Sequence, residues 1–158
     1  KDQLRNLCFN LMQATAYSFF FAQSVKAITG RARPYRYYNP DFKDHGPWEW
    51  GNFNTYLGNG GEYNSFPSFH ATYWYSYWTV FMDYIGFRWM GLIIATLFYF
   101  TEDGHCHWLS DVIAGGIAGY WLGNAIIENQ NNSNRTSDFD INICLYNRSF
   151  LINFKKAF

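Results

Sequence analysis

Three clusters of chemistry-bearing residues lie along the chain. Lys26, Arg31 and Arg33 crowd the stretch KAITGRARP, at the end of an apolar run. Lysine supplies a mobile point charge and arginine a planar fork matched to phosphate oxygens. The cluster therefore reads either as an anion cradle or as a basic patch beside a membrane. In NSFPSFHATYWY, Pro67 and Ser68 stand at a helix start. Ser68 is there an ordinary N-cap, or part of an anion site that uses the N–H groups of Phe69 and His70 and the helix dipole. His70 is then a bystander of the cap or an acid beside the bound anion. In TEDGHCHWLSDV, His107 and Asp111 stand four positions apart. A carboxylate bonded to one imidazole nitrogen fixes the tautomer and leaves the other to attack an electrophile, although the pair also suits helix capping. The same stretch holds His105 and Cys106 and so raises the question of a metal. On a helix His105 and His107 point about 200° apart, and only an extended turn brings them to one ion.

The elements that must position these residues are apolar runs. Leu7 to Val25 carries no charge, and Phe69 to Phe100 is apolar apart from a break at DYIGFR, which reads as a turn between helices of roughly 69–84 and 87–101. A last run, Leu109 to Ile127, precedes an Asn-rich polar tail. Gly30 to Gly61 reads as a long loop. No alternating pattern competes, so the expected fold is all-α, a helical bundle with about four core helices. The domain covers 1–127, with 128–158 a disordered or loosely attached polar tail. A spanning helix needs about 20 apolar residues. The first and last runs approach that length, and the bundle is expected to be transmembrane. Gly115, Gly119 and Gly123 recur every fourth position, and the series extended backwards meets Asp111 and His107. Such a face admits a close neighbouring helix and puts the pair at its inward head.

Composition sets the remaining bounds. The 158 residues hold twelve Lys and Arg against twelve Asp and Glu, so net charge points to no nucleic acid. Aromatic residues make up 23%, and Tyr and Trp gather where an apolar surface meets water, membrane interfaces included. Three cysteines without CxxC spacing imply neither a disulfide framework nor a zinc knuckle. A start at Lys1 reads as a trimmed N-terminus.

Together and in this order the clusters resemble the type 2 phosphatidic acid phosphatase superfamily, whose signature is Lys-x6-Arg-Pro, Pro-Ser-Gly-His and Ser-Arg-x5-His-x3-Asp. Lys26 to Arg33-Pro34 matches the first motif, Pro67-Ser68-Phe69-His70 the second except Phe for Gly, and His107 to Asp111 the end of the third. The resemblance covers roughly residues 7–127. It implies a helical bundle, membrane-embedded in many members, acting on a phosphorylated lipid without cofactor or metal. It also implies a site facing the extracytoplasmic side of an integral membrane protein. Soluble acid phosphatases and haloperoxidases are the other branches of the family. By resemblance, His107 is the nucleophile, Asp111 its orienter and His70 the general acid and base. Lys26, Arg33, Ser68 and the Phe69 N–H hold the phosphoryl oxygens. The third motif departs from the family, because its Ser-Arg falls on Phe100-Thr101. Loss of one charge-assisted contact costs about 2–4 kcal/mol of transition-state stabilisation. Arg31 is the candidate compensating cation. The alternatives are a member that has lost catalysis and binds lipid or a protein partner, and a soluble haloperoxidase-like or acid phosphatase enzyme. The loop at 35–66 is expected to cover the entrance, with Trp48, Trp50 and Phe53 either on a lipid-facing rim or packed within the loop.

Overall fold

The computed structural model describes residues 2–34, 45–58, 61–102, 106–136, 139–146 and 149–156. Two compact units are present, Lys1–Ile126 and Ile127–Phe158. The first is all-helical. Its elements are α1 (Asp2–Thr29), α2 (Phe53–Gly58), α3 (Phe69–Ile85), α4 (Met90–Glu102) and the larger part of α5 (Leu109–Thr136).

Local chemistry sets the helix ends. Gly30 stops α1: its φ of 48° is left-handed, and its N–H bonds to the Lys26 carbonyl at 2.9 Å. A Cβ at this position would also stand 2.9 Å from the backbone N and O of Asn52, so only glycine fits. At the other end of the bundle, Gly86 (φ 88°) closes α3. Its N–H bonds to Asp83 O, and the Phe87 N–H reaches Met82 O at 2.9 Å, the Schellman pattern. The turn read from DYIGFR is therefore a glycine-capped helix end leading into α4.

The interior of this unit is built from small side chains. Ala14, Ala22, Ala71 and Ala95 are fully buried, as are Ser18, Ser68, Thr72, Ser76 and Thr79. The glycine face of α5 lies on α3: a Cβ on Gly115 would meet the Ser68 carbonyl at 2.6 Å and one on Gly119 the Thr72 carbonyl at 2.2 Å. Gly123 opposes Ser76 and Thr79 in the same way. The four-residue glycine spacing thus does what it predicts, bringing α5 backbone to α3 backbone and carrying Asp111 inward with it.

Two findings bear on the expected architecture. The tail, expected to be disordered or loosely attached, lies in the second unit, where β1 (Phe139–Tyr146) pairs antiparallel with β2 (Ser149–Lys156), so the all-α expectation holds for the first unit. The segment that includes Phe139, Ile141, Ile143 and Leu145 does alternate with Asp140, Asn142 and Cys144, a period-two pattern that the nearby Asn-rich run masks. The membrane-spanning expectation meets a second finding. Among the described residues no helix is long and apolar enough to cross a membrane. α1 and α5 have the length, 28 residues each, or about 42 Å at 1.5 Å per residue. Polar residues such as Asn10, Gln13 and Gln23 in α1 and Asn124 and Glu128 in α5 interrupt their apolar character.

Candidate active site

The three clusters meet where the end of α1, the start of α3 and the start of α5 converge. Residues 30–33 run as a short extended segment clasped on both sides. Ala32 N–H bonds to Glu49 O at 3.0 Å, Arg33 N–H to Glu62 O at 2.8 Å, and Ser65 N–H to Arg31 O at 3.0 Å. The stretch read only as loop therefore contains a backbone clamp, and its short α2 was not foreseen.

Asn64 gathers the first cluster. Lys26 Nζ, 4% exposed, donates to the Asn64 carbonyl at 2.6 Å. Arg33 Nε donates to the Asn64 side-chain oxygen at 2.6 Å, and its Nη1 to the Cys106 carbonyl at 3.2 Å. Lys26, Arg33 and the approach to the third motif are so tied through one residue of the second. Ser68 caps α3, its Oγ accepting from Ala71 N–H at 3.3 Å, while its own N–H bonds to the Asp111 carbonyl at 3.0 Å. Phe69 directs its ring edge-on to Phe19 of α1 and against Tyr73, with centroids 6.0 Å away in each case. His70 stands half-buried in the first turn of α3, its ring 5.6 Å from that of Phe69.

Asp111 is the centre of the buried network. No part of it reaches solvent. Oδ1 accepts from Arg31 Nη1, and Oδ2 accepts from Ser65 Oγ at 2.5 Å and from Trp108 N–H at 3.0 Å. The last bond is a helix-capping contact in which a carboxylate in the first turn satisfies the N–H of the residue before α5. The bond to Trp108 shows the capping role read for this carboxylate. His107 Nδ1 lies 3.7 Å from Oδ2 and 3.4 Å from Ser65 Oγ. Burial pushes the Asp111 pKa up, but the contact with His107, the Ser65 bond, the Arg31 charge and the Trp108 N–H outweigh it and hold the carboxyl below its ordinary 3.8.

Arg31 is 3% exposed and engaged along its whole guanidinium. Besides Asp111, Nη1 donates to Ser110 Oγ at 2.7 Å; Nε and Nη2 donate to the Pro47 carbonyl at 3.2 and 2.5 Å. Trp50 stacks over it at 4.8 Å. As the structure stands, this arginine serves Asp111 and the loop. Thr101 is the penultimate residue of α4, and its side chain lies outside the described residues, as do Asp103 and His105. Among the described residues, no group of three or more His, Cys, Asp or Glu side chains is arranged to hold a metal. Of the loop at 35–66, positions 35–44 and 59–60 lie outside the described residues; Trp48 is 81% exposed and Phe53 55%.

The predicted residues thus fall into two hydrogen-bonded groups that adjoin along the backbone, Lys26 and Arg33 on Asn64, and Arg31, Ser68 and His107 around Asp111 and Ser65. Motif spacing gives no warning of Ser65, Asn64, Ser110 or the Pro47 carbonyl. Neutral serines and asparagines in a loop carry no periodicity, and a backbone carbonyl has no sequence signature.

The PAP2 superfamily model matches residues 7–135, which include all three clusters. The chain belongs to the PAP2 superfamily. No curated protein and no solved structure matches it. Membership of the PAP2 superfamily carries a phosphatase-type function in general. The superfamily match extends over α1 to α5 and stops before β1.

Proposed function

We propose that this PAP2 member is a membrane-bound phosphatase that hydrolyses a phosphate monoester or diphosphate of a lipid through a phosphohistidine. The observation that carries the reading is the convergence of His107, backed by Ser65 and Asp111, with Lys26 and Arg33 drawn together by Asn64. In this mechanism His107 attacks phosphorus while the P–O bond to the leaving group breaks, and His70 gives that oxygen a proton. His70 then takes a proton from water, the water oxygen bonds to phosphorus, and the P–N bond breaks to release phosphate. Lys26, Arg33, Ser68 and the Phe69 N–H hold the phosphoryl oxygens. Fixed cations and N–H groups offset the developing charge, so the chemistry needs no metal.

A lipid substrate is supported by the distribution of side-chain size. Small residues fill the interior, while Met12, Phe20, Ile28, Phe100, Leu109 and Trp121 are each at least 67% exposed. Large apolar side chains outside and small ones inside suit an apolar surrounding. The chain is proposed to bind the membrane through these flanks, with the site on the extracytoplasmic side. Recovery with membranes after a high-salt wash, and release only by detergent, is the expected behaviour.

The test of function is phosphate release from phosphatidic acid, phosphatidylglycerol phosphate and an isoprenyl diphosphate, with inhibition by vanadate. Turnover blocked by vanadate is expected. A folded protein that releases no phosphate from any of them would favour the second reading, a lipid binder without catalysis. Phe100-Thr101 in place of Ser-Arg is what supports that reading. Thr101→Arg separates the two further: it raises turnover by about thirty- to a thousandfold if the missing contact limits the rate.

A further inference from the structure

Ser65 is fully buried and stands between the carboxylate and the imidazole. A serine hydroxyl has one proton to give and two lone pairs with which to accept. Asp111 Oδ2 can only accept, and at 2.5 Å it takes that proton. The Ser65 oxygen therefore meets His107 Nδ1 as an acceptor, which requires the proton on Nδ1 and puts the ring's lone pair on Nε2. The direct separation from Asp111 Oδ2 to Nδ1 is 3.7 Å, beyond hydrogen-bond reach, and Oδ2 already takes Ser65 and Trp108.

We propose that Ser65 is a positioning residue that couples Asp111 to His107, forming a chain in which imidazole donates to hydroxyl and hydroxyl donates to carboxylate. Arg31 holds the far oxygen of the same carboxylate, so the chain is anchored at its acid end. When His107 loses its lone pair to phosphorus and becomes cationic, the Nδ1–H bond to Ser65 strengthens, and the hydroxyl passes the polarisation to Asp111. No proton leaves Nδ1 in this step. The proposal deepens the phosphohistidine reading and rests on it for its catalytic consequence, but not for the tautomer it assigns.

Nitrogen-15 NMR of the histidine rings in the wild-type chain is the first measurement. His107 is expected as the Nδ1–H tautomer, and an Nε2–H tautomer would overturn the assignment whatever the protein does to substrates. In Ser65→Ala the ring is expected to become a mixture of tautomers. With phosphatidic acid as the substrate, kcat should then fall on the order of ten- to a hundredfold, with KM within about twofold. The acidic limb of the kcat profile should also move, a change that a loss of packing alone would not produce. A single unchanged tautomer and an unchanged pH profile in a folded Ser65→Ala protein would sink the idea. If Ser65→Ala fails to fold, the wild-type spectrum decides alone. Absence of all phosphate release would count against the proposed function, while the NMR result would still judge Ser65.

Discussion

Two histidines in this chain sit among carboxylates, and they are held in opposite ways. His45 in the loop contacts acid at both ring nitrogens: Nδ1 lies 2.8 Å from Glu49, and Nε2 meets Glu62. Tyr63 closes the cluster by donating to Glu49 at 2.8 Å, and its hydroxyl is pushed up to about 12 by burial and by that bond. Burial lowers the His45 pKa, but bonds to Glu62 and Glu49 outweigh it and raise the value above 6.5. Acid on both sides makes a charged strut, since both nitrogens hold their protons. His107 meets its acid differently: Nδ1 lies 3.7 Å from Asp111 Oδ2, with the Ser65 hydroxyl nearer at 3.4 Å, and in the proposed chain that nitrogen donates to the hydroxyl. Under the proposed function the contrast is between a ring clasped directly by two carboxylates and one reached by its carboxylate through a serine hydroxyl, so nearness to acid alone says little.

The largest test of that contrast is on turnover. His107→Ala should lower phosphate release by about 10⁴-fold or more, whereas His45→Ala should leave the rate within about tenfold. Wild-type rates from His107→Ala would end the assignment. Stability comes next. Arg31→Leu leaves Asp111 buried without its cation and should cost about 3–5 kcal/mol in urea unfolding. Glu49→Gln, at a side chain 44% exposed, should cost under about 1 kcal/mol. Equal losses would show the two clusters to be energetically alike. Packing gives a smaller difference. A Cβ on Gly115 would stand 2.6 Å from Ser68 O and 3.1 Å from Ala71, while one on Gly46 beside His45 meets nothing within 4 Å. Gly115→Ala should cost about 1–3 kcal/mol and Gly46→Ala almost nothing, again by urea unfolding.

The smallest test is pH. The raised His45 value gives stability that is full below 6.5 and is lost as the pH climbs through the raised folded value. The lowered Asp111 value gives stability that is full above 3.8 and is lost as the pH falls through the depressed folded value. Melting curves of His45→Gln should therefore converge with those of the wild type on the alkaline side and stay below them near neutrality. Parallel curves at all pH values would remove the charge from His45.

Much of this was legible in the sequence, and the reasons are local. The glycines at 115, 119 and 123, the cap at Ser68 and the stop at Gly30 act within a turn or two, where spacing dictates geometry. The order of Lys26, Arg33, Ser68, His70, His107 and Asp111 identified the superfamily because each residue type is tied to its interval. Local pattern missed the strand pair at β1, where the neighbouring Asn-rich composition hides the alternation. Tertiary structure alone decided which partner each charge takes. Arg31 and Arg33 stand two residues apart with similar chemistry, yet the clamp of 30–33 between Glu49 and Glu62 turns one to Asp111 and the other to Asn64. Ser65 lies more than forty residues from Asp111 and gains its meaning only when α3 and α5 close to backbone contact. Residue identity supplies the donors and acceptors, and the packing of distant segments selects which of them meet.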